Sequence, residues 1–230
     1  MTIITKTGLS MLRFASNAEF DAALVERLER AISGPDAAET AVMLSGGRTP
    51  LPAYREVAAR KPKPAKGLHL LFSDDRYVPA TSESSNYFQS RQLVDALGLP
   101  DSQVLRVRTE LPLEEAADDY ARQLTRMLGL GVQITLGLLG LGADGHTASL
   151  FNASHLEQAR GKLAIAVQRP DGLQGISVTP ELLSKVAQPL FLVTGADKHA
   201  IVDEFLKSDS RLTARQAIAG CPKAEIWVAS

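Results

Sequence analysis

The sequence predicts an α/β fold layered on a largely parallel sheet. Three observations predict it. Short apolar runs of strand length recur along the chain, stretches of helical periodicity separate them, and several of the runs end in glycine-rich or charged turns. Strands separated by helices pair in parallel, because the crossover helix returns the chain to the edge where the strand began.

The elements follow in order. Residues 10–14 are a short strand candidate. Ser16 to Glu19 reads as a capping box, after which Phe20, Leu24, Leu28 and Ile32 fall near one helical face and Gly34-Pro35 stops the helix. Residues 41–44 are a buried strand that runs into Ser45-Gly46-Gly47, with a helix beginning near Thr49-Pro50. "GLHLLFSDD" is the next strand, and "SSNYFQSRQLVDALG" is a helix closed by Gly98. In "LPLEEAADDYARQLTRMLG", Pro112 suits a first turn, and Leu113, Ala117, Tyr120, Leu124 and Leu128 repeat at helical spacing. "QITLGLLGLG", "KLAIAV", "GISVT", "PLFLVTG" and "AEIWVA" are further strands, with helices from Pro180 and from Ala196 to Lys207. "RKPKPAKG" is a basic, proline-rich surface loop, too short to link two domains, so residues 1–230 are expected to form one domain.

Composition narrows the function. A formal net charge of −1 gives no long-range field for nucleic acid or an anionic membrane, although a local cluster of Arg and Lys still suits a small anion. Cys221 is the single cysteine, which excludes an intrachain disulfide and fits a reducing compartment. The N-terminal stretch has no compact apolar signal region, and no apolar run reaches the ~18 residues of a membrane span. A cytoplasmic protein, monomeric or a small homo-oligomer, is expected. No His/Cys cluster has metal-ligand spacing, and no metal or cofactor is expected; His69, His155 and His199 are assigned no role.

Ligands of such sheets bind outside the carboxyl ends of the strands, and four strand ends carry unusual residues. In "MLSGGRTP", Gly46 and Gly47 let backbone N–H groups approach an anion at a helix start, while Ser45, Arg48 and Thr49 add donors; a plain strand-to-helix turn is the alternative. In "FSDDRYVP", Asp74, Asp75 and Arg76 are either a solvated charge cluster or a site in which Arg76 stabilises an oxyanion or grips a phosphate. "GLGADG" fits the dinucleotide pattern G-x-G-x-x-G only formally. The next strand ends in Gln168 and Arg169 instead of an acid, and Asp144 inside the loop would face a pyrophosphate. His146 with Asp144 two residues away reads instead as a base and its orienter, or as caps of a helix starting near Thr147. In "FLVTGADKH", Lys198 sits in a first helical turn, where a cation opposes the dipole unless an anion is bound.

Taken together, "LSGGRTP", "FSDDRYVP…SSNY", "LLGLGADGHTASLF" and "LVTGADK" resemble, in order and spacing, the 6-phosphogluconolactonases of the glucosamine-6-phosphate deaminase/isomerase superfamily, over roughly residues 40–200. The resemblance implies a modified Rossmann-like three-layer sandwich without a dinucleotide. It implies hydrolysis of 6-phospho-D-glucono-1,5-lactone in the oxidative pentose phosphate pathway, with a small-molecule sugar phosphate as the partner. It further implies that His146 activates water, Asp144 is its partner, Arg76 stabilises charge near the lactone, and the loop Ser45–Thr49, Asp74 and Lys198 bind substrate. The deaminase branch carries an Asn-Glu pair after "DGH", where this chain has Thr-Ala-Ser-Leu-Phe, which argues against deamination. A lactonase for another sugar lactone, or a non-enzymatic sugar-phosphate sensor, stays open. Three positions depart from the family pattern: Asp75 for Glu, Asn152 for Pro, and Gly175 where a strand-initiating arginine is usual. The last leaves Arg169 and Arg48 as its possible replacements.

Overall fold

The structure is a computed structural model that describes residues 2–6, 9–35, 38–221 and 223–229. Its elements in chain order are β1 (Thr2–Lys6), β2 (Leu9–Phe14), α1 (Asn17–Ile32), β3 (Thr40–Leu44), α2 (Leu51–Arg60), β4 (Leu68–Phe72), β5 (Asp74–Arg76), α3 (Asn86–Leu97), α4 (Leu113–Gly129), β6 (Gln133–Gly140), α5 (Ala153–Gln158), β7 (Ala164–Gln168), β8 (Gln174–Val178), α6 (Pro180–Leu183), β9 (Pro189–Thr194), α7 (His199–Phe205), α8 (Thr213–Ala217) and β10 (Ala224–Ala229). Among the described residues no helix is long and apolar enough to cross a membrane.

Seven strands form the main sheet in the order β1-β2-β10-β9-β6-β3-β4, parallel throughout except for the β1/β2 pair. The apolar runs are continuous because both faces are covered. Alternate residues feed two cores. Val42, Leu44, Leu190 and Leu192 pack with Phe20, Leu24, Tyr54 and Leu93 of α1–α3, whereas Met43, Leu71, Phe191 and Val193 pack with Tyr120, Leu124 and Met127 of α4.

The helix starts follow the side chains that can satisfy orphan N–H groups. Ser16 accepts from the Glu19 N–H at 3.2 Å, and Glu19 reaches back to the Ala15 N–H at 3.1 Å, one residue beyond the usual capping-box target. Phe20, Leu24, Leu28 and Ile32 are all buried, as their spacing predicts. Ser85 caps α3, and Gly98 closes it with φ 58°. In α4 the buried face is Ala116, Ala117, Tyr120, Leu124 and Met127, so Leu113 and Leu128 lie at its margins.

Three expectations are corrected. "FSDD" does not prolong β4: the chain breaks at Ser73, and β5 joins β8 and β7 in a separate antiparallel sheet, because the carboxylates of Asp74 and Asp75 turn inward onto polar partners instead of continuing an apolar ladder. No helix starts near Thr147; α5 begins at Ala153, where Asn152 caps the His155 N–H at 3.0 Å. His155 is consequently a buried helical residue. The stretch from Ala196 to Lys207 is a 3₁₀ turn, Ala196–Lys198, followed by α7. Strand β1 and helix α8 carry no strong sequence signal.

Two buried tyrosines close the strand ends. The Tyr54 hydroxyl accepts from the Ser45 N–H at 3.2 Å and donates to the Ser45 carbonyl at 2.9 Å. The Tyr120 hydroxyl does the same for Phe72, at 2.9 and 2.6 Å. Burial pushes both phenols well above their ordinary pKa, so they remain neutral donors. Tyr120→Phe leaves a buried N–H and C=O without partners. It is expected to lower unfolding free energy by ~1–3 kcal/mol in urea titration, and unchanged stability would mean that the hydroxyl is dispensable.

Candidate active site

The C-terminal ends of β9, β6, β3 and β4 lie side by side, so the four strand-end motifs converge. Between β3 and β6 the chain order reverses across the sheet, the usual place for a ligand crevice. Two adjoining cavities of about 570 Å³ and about 200 Å³ occupy it and share Ser45, Gly46, Gly47, Gly140 and Leu141, so they form one cleft.

The larger cavity holds Arg48, Thr49 and Lys198. The Thr49 hydroxyl pairs with that of Thr194 at 3.1 Å. The Lys198 ammonium lies 3.4 Å from the Leu141 carbonyl, a weak tether that leaves donors for an anion. Asp21 and Asp197 also line this cavity, so it is not purely cationic. Burial raises the Asp21 carboxyl above its ordinary pKa.

The smaller cavity holds Asp74, Arg76, Asn86, His146 and Arg169. His146 Nδ1 lies 2.5 Å from Asp144 Oδ1, which also accepts the His146 backbone N–H at 3.3 Å. The turn is tight: the Gly142 N–H donates to the His146 carbonyl at 2.9 Å, and a Cβ on Gly142 would collide with the His146 ring and the Asp144 carboxylate. That glycine is required by the close approach of the pair. Partial burial works against ionisation of Asp144, but the hydrogen bond and charge of His146 outweigh it and hold the carboxyl below its ordinary value. With Asp144 ionised, Nδ1–H donates to it and Nε2 is left as the basic nitrogen.

Arg76 Nη1 donates to the Ser84 carbonyl and to Asn86 Oδ1, both at 2.9 Å, which fixes the guanidinium at the cavity wall. Asp74 is buried and its carboxylate is occupied. Ser73 donates to Oδ1 at 2.9 Å, Ser149 donates to Oδ2 at 2.7 Å, and Asn86 Nδ2 lies 3.3 Å from Oδ1. Its geometry is that of a group holding the wall together. Among the described residues no three His, Cys, Asp or Glu side chains gather as a metal site.

Sequence reasoning missed Asn86 and Ser149, and it saw Asp75 only as one of a charge cluster, without its buried bridging role. Asp75 is only 1% exposed, yet its carboxylate accepts from the N–H groups of Arg76, Asn86 and Tyr87 and from the Ser85 hydroxyl, at 2.7–3.2 Å. It thereby joins β5 to the first turn of α3, where the helix dipole favours negative charge. Asn86 and Ser149 were visible only as parts of the quoted motifs, since nothing in their spacing marks a buried bridge. Cys221 donates to the Leu183 carbonyl at 3.2 Å, and burial pushes its thiol up to about 11, so it is unreactive near neutral pH.

The fold and the cleft define an α/β protein with a polar ligand cleft at the carboxyl ends of its parallel strands. Residues 15–226 match the family described as glucosamine-6-phosphate isomerases/6-phosphogluconolactonase, and the chain belongs to that family. Within it, the chain is 35% identical to the 6-phosphogluconolactonase of Thermotoga maritima over 170 residues, covering 72% of this chain and 74% of that one. It is 34% identical to the human 6-phosphogluconolactonase over 208 residues, covering 84% and 80%. The crystal structure of a Thermotoga maritima 6-phosphogluconolactonase superposes with a TM-score of 0.81 at 30% identity, covering 98% of this chain and 100% of that one.

Burial raises Asp75 to about 6, against the opposing pull of its N–H and hydroxyl donors. The folded protein therefore holds this proton more tightly than the unfolded chain. The stabilisation is full below about pH 4 and is lost as pH rises through about 6. Asp75→Asn is expected to make the slope of unfolding free energy against pH less negative in that window, by at most about 1.4 kcal/mol per pH unit, the equivalent of one proton. Superimposable slopes would show that Asp75 does not titrate there.

Proposed function

We propose that the protein hydrolyses 6-phospho-D-glucono-1,5-lactone to 6-phosphogluconate, the lactone-opening step of the oxidative pentose phosphate pathway. It acts as one domain in the cytoplasm. The observation that carries the reading is the Asp144–His146 pair, at 2.5 Å, in a cleft whose other half holds Lys198, Arg48 and Thr49. Family membership and the identity to named lactonases support it.

In this reading the phosphate lies against the Ser45–Thr49 loop and Lys198, and so fixes the ring. His146 Nε2 takes a proton from water as the oxygen attacks the lactone carbonyl carbon. Asp144 steadies the imidazolium that forms. The carbonyl oxygen becomes an oxyanion that Arg76 stabilises. When the tetrahedral intermediate collapses, the ring C–O bond breaks and His146 returns the proton to the leaving oxygen, giving the carboxylic acid and a free hydroxyl. Ala148 lines the cavity two residues after His146, and this stretch carries no carboxylate for amino-sugar proton transfers.

The test measures hydrolysis of fresh 6-phosphogluconolactone above its spontaneous rate, alongside ammonia release from glucosamine 6-phosphate. Lactone turnover without ammonia is expected, and the converse would assign the chain to the deaminase branch. His146→Ala, with its fold checked by circular dichroism, should lose ~10²–10⁴-fold in kcat; near-normal turnover would remove the base assignment. Lys198→Ala should act mainly on KM, raising it roughly tenfold for a lost charge-assisted contact. An unchanged KM would take Lys198 out of the phosphate site.

A further inference from the structure

Arg169 follows β7 directly, and only a tenth of its side chain is exposed. It is held from three sides, and its Nη1 also lies 3.9 Å from the buried Asp74 carboxylate. Its Nε and Nη2 donate to the Asp171 carboxylate at 2.9–3.2 Å, its Nη1 donates to the Ser149 hydroxyl at 2.8 Å, and its guanidinium carbon lies 5.2 Å from the centroid of the Phe151 ring. The 169–173 turn is wound around it: the Arg169 N–H donates to the Leu173 carbonyl, and the Leu173 N–H donates to Asp171 Oδ1. The other face of the Phe151 environment is His146, whose ring centroid is 4.3 Å away.

Gly175 makes this placement possible. Its neighbours across the small sheet are Arg76 and Val167, and a Cβ built on it would lie 3.2 Å from Arg169 Cδ and 3.1 Å from the Asp75 carbonyl oxygen. The arginine stem lies over the bare glycine backbone. Any side chain at this position would compete for the same volume.

Ion pairing alone does not account for the arrangement: the buried Asp74 carboxylate, 3.9 Å from Nη1, is already taken up by the Ser73 and Ser149 hydroxyls, and the closer partner is Asp171. That carboxylate is 46% exposed, and such a pair forms equally well with both groups in water, at no desolvation cost to the arginine. Three of the five guanidinium N–H groups are used by Asp171 and Ser149, which leaves one on each terminal nitrogen. Arg169 lines the cleft with His146 and Arg76, and does not line the half that contains Lys198.

We propose that Arg169 is a substrate-contacting cation of this cleft, pre-aimed by Asp171 and Ser149 and admitted by Gly175, and that it binds a negatively charged or polarised oxygen of the substrate. This deepens the lactonase reading and rests on it. The lining places the contact at the carbonyl end, beside His146.

The test uses the full chain, with wild-type lactone hydrolysis as the control that separates failure of this inference from failure of the lactonase reading. Arg169→Ala should lose about 10–100-fold in kcat/KM, the equivalent of one charge-assisted hydrogen bond, and millimolar guanidinium ion should restore part of it. Gly175→Val should show a comparable loss by expelling the arginine, but little additional loss when placed in Arg169→Ala. With the rate loss in place, a Ki for inorganic phosphate that is unchanged in Arg169→Ala supports the contact at the carbonyl end, and a raised Ki would overturn that placement. If Arg169→Ala does not fold, Asp171→Asn, which frees the arginine without removing it, should lower kcat/KM severalfold. A folded Arg169→Ala within twofold of wild type, a loss that guanidinium does not rescue, a Gly175→Val loss that adds in full to that of Arg169→Ala, or wild-type kcat/KM in Asp171→Asn would each overturn the proposal.

Discussion

The site exists because neighbouring parallel strands stop pairing at one level, and the backbone groups left there must find other partners. Beyond Leu44 and Phe72 no further strand residue completes the ladder. Tyr54 and Tyr120, brought in by α2 and α4 from opposite faces of the sheet, each satisfy one N–H and one C=O at these ends. A hydroxyl can donate and accept at once, so one side chain closes both groups. The strands can then splay, and the turns at Ser45 and Ser73 diverge to make a cleft without leaving buried polar groups unpaired.

What lines the cleft is held by a second, wholly polar layer. Asp75 gathers β5 and the first turn of α3. Asn86, at that turn, bridges Asp74 and Arg76, and Ser149 bridges Asp74 and Arg169. Burying two adjacent carboxylates is costly, and the raised pKa of Asp75 is the visible sign of that cost. The return is that two guanidinium groups are fixed before any substrate arrives, so little reorganisation is required when charge develops.

The parts legible in the sequence are those written in periodicity and turn chemistry. The core faces of α1 and α4, the Ser85 and Gly98 ends of α3, and the convergence of four strand-end motifs all follow from spacing and from the rule that ligands bind at carboxyl strand ends. The split at Ser73 was not legible, because whether "FSDD" continues a strand depends on partners 11 to 75 residues away. Nor was the late start of α5. "HTASL" has a helical composition, but Ala148 sits at φ 48° and Thr147 bridges to Leu150, so the chain makes a compact turn before Asn152 can cap a helix. The partners of Asp75 and Asn86 are likewise tertiary, and no local pattern encodes them.

That late helix explains why a formal G-x-G-x-x-G pattern carries different chemistry here. In a dinucleotide loop the glycines deliver a pyrophosphate onto a helix N-terminus that follows at once. In this chain the loop Gly140–Gly145 is followed by His146 and a turn, with the helix start seven residues beyond His146 at Ala153. Only Gly140 has open space above its Cα toward the cleft; Gly142 is small so that the imidazole and the carboxylate can meet above it, and Gly145 lies against Leu212. Gly142 thus serves the close approach of His146 and Asp144. In the proposed reading the anion lies instead at the turn after β3, where the same residue type does precede a helix. In that reading two glycine-rich turns on neighbouring strands divide the work, one turning the backbone toward an anion and the other clearing room for a base, and the difference between them is set by how soon the next helix begins.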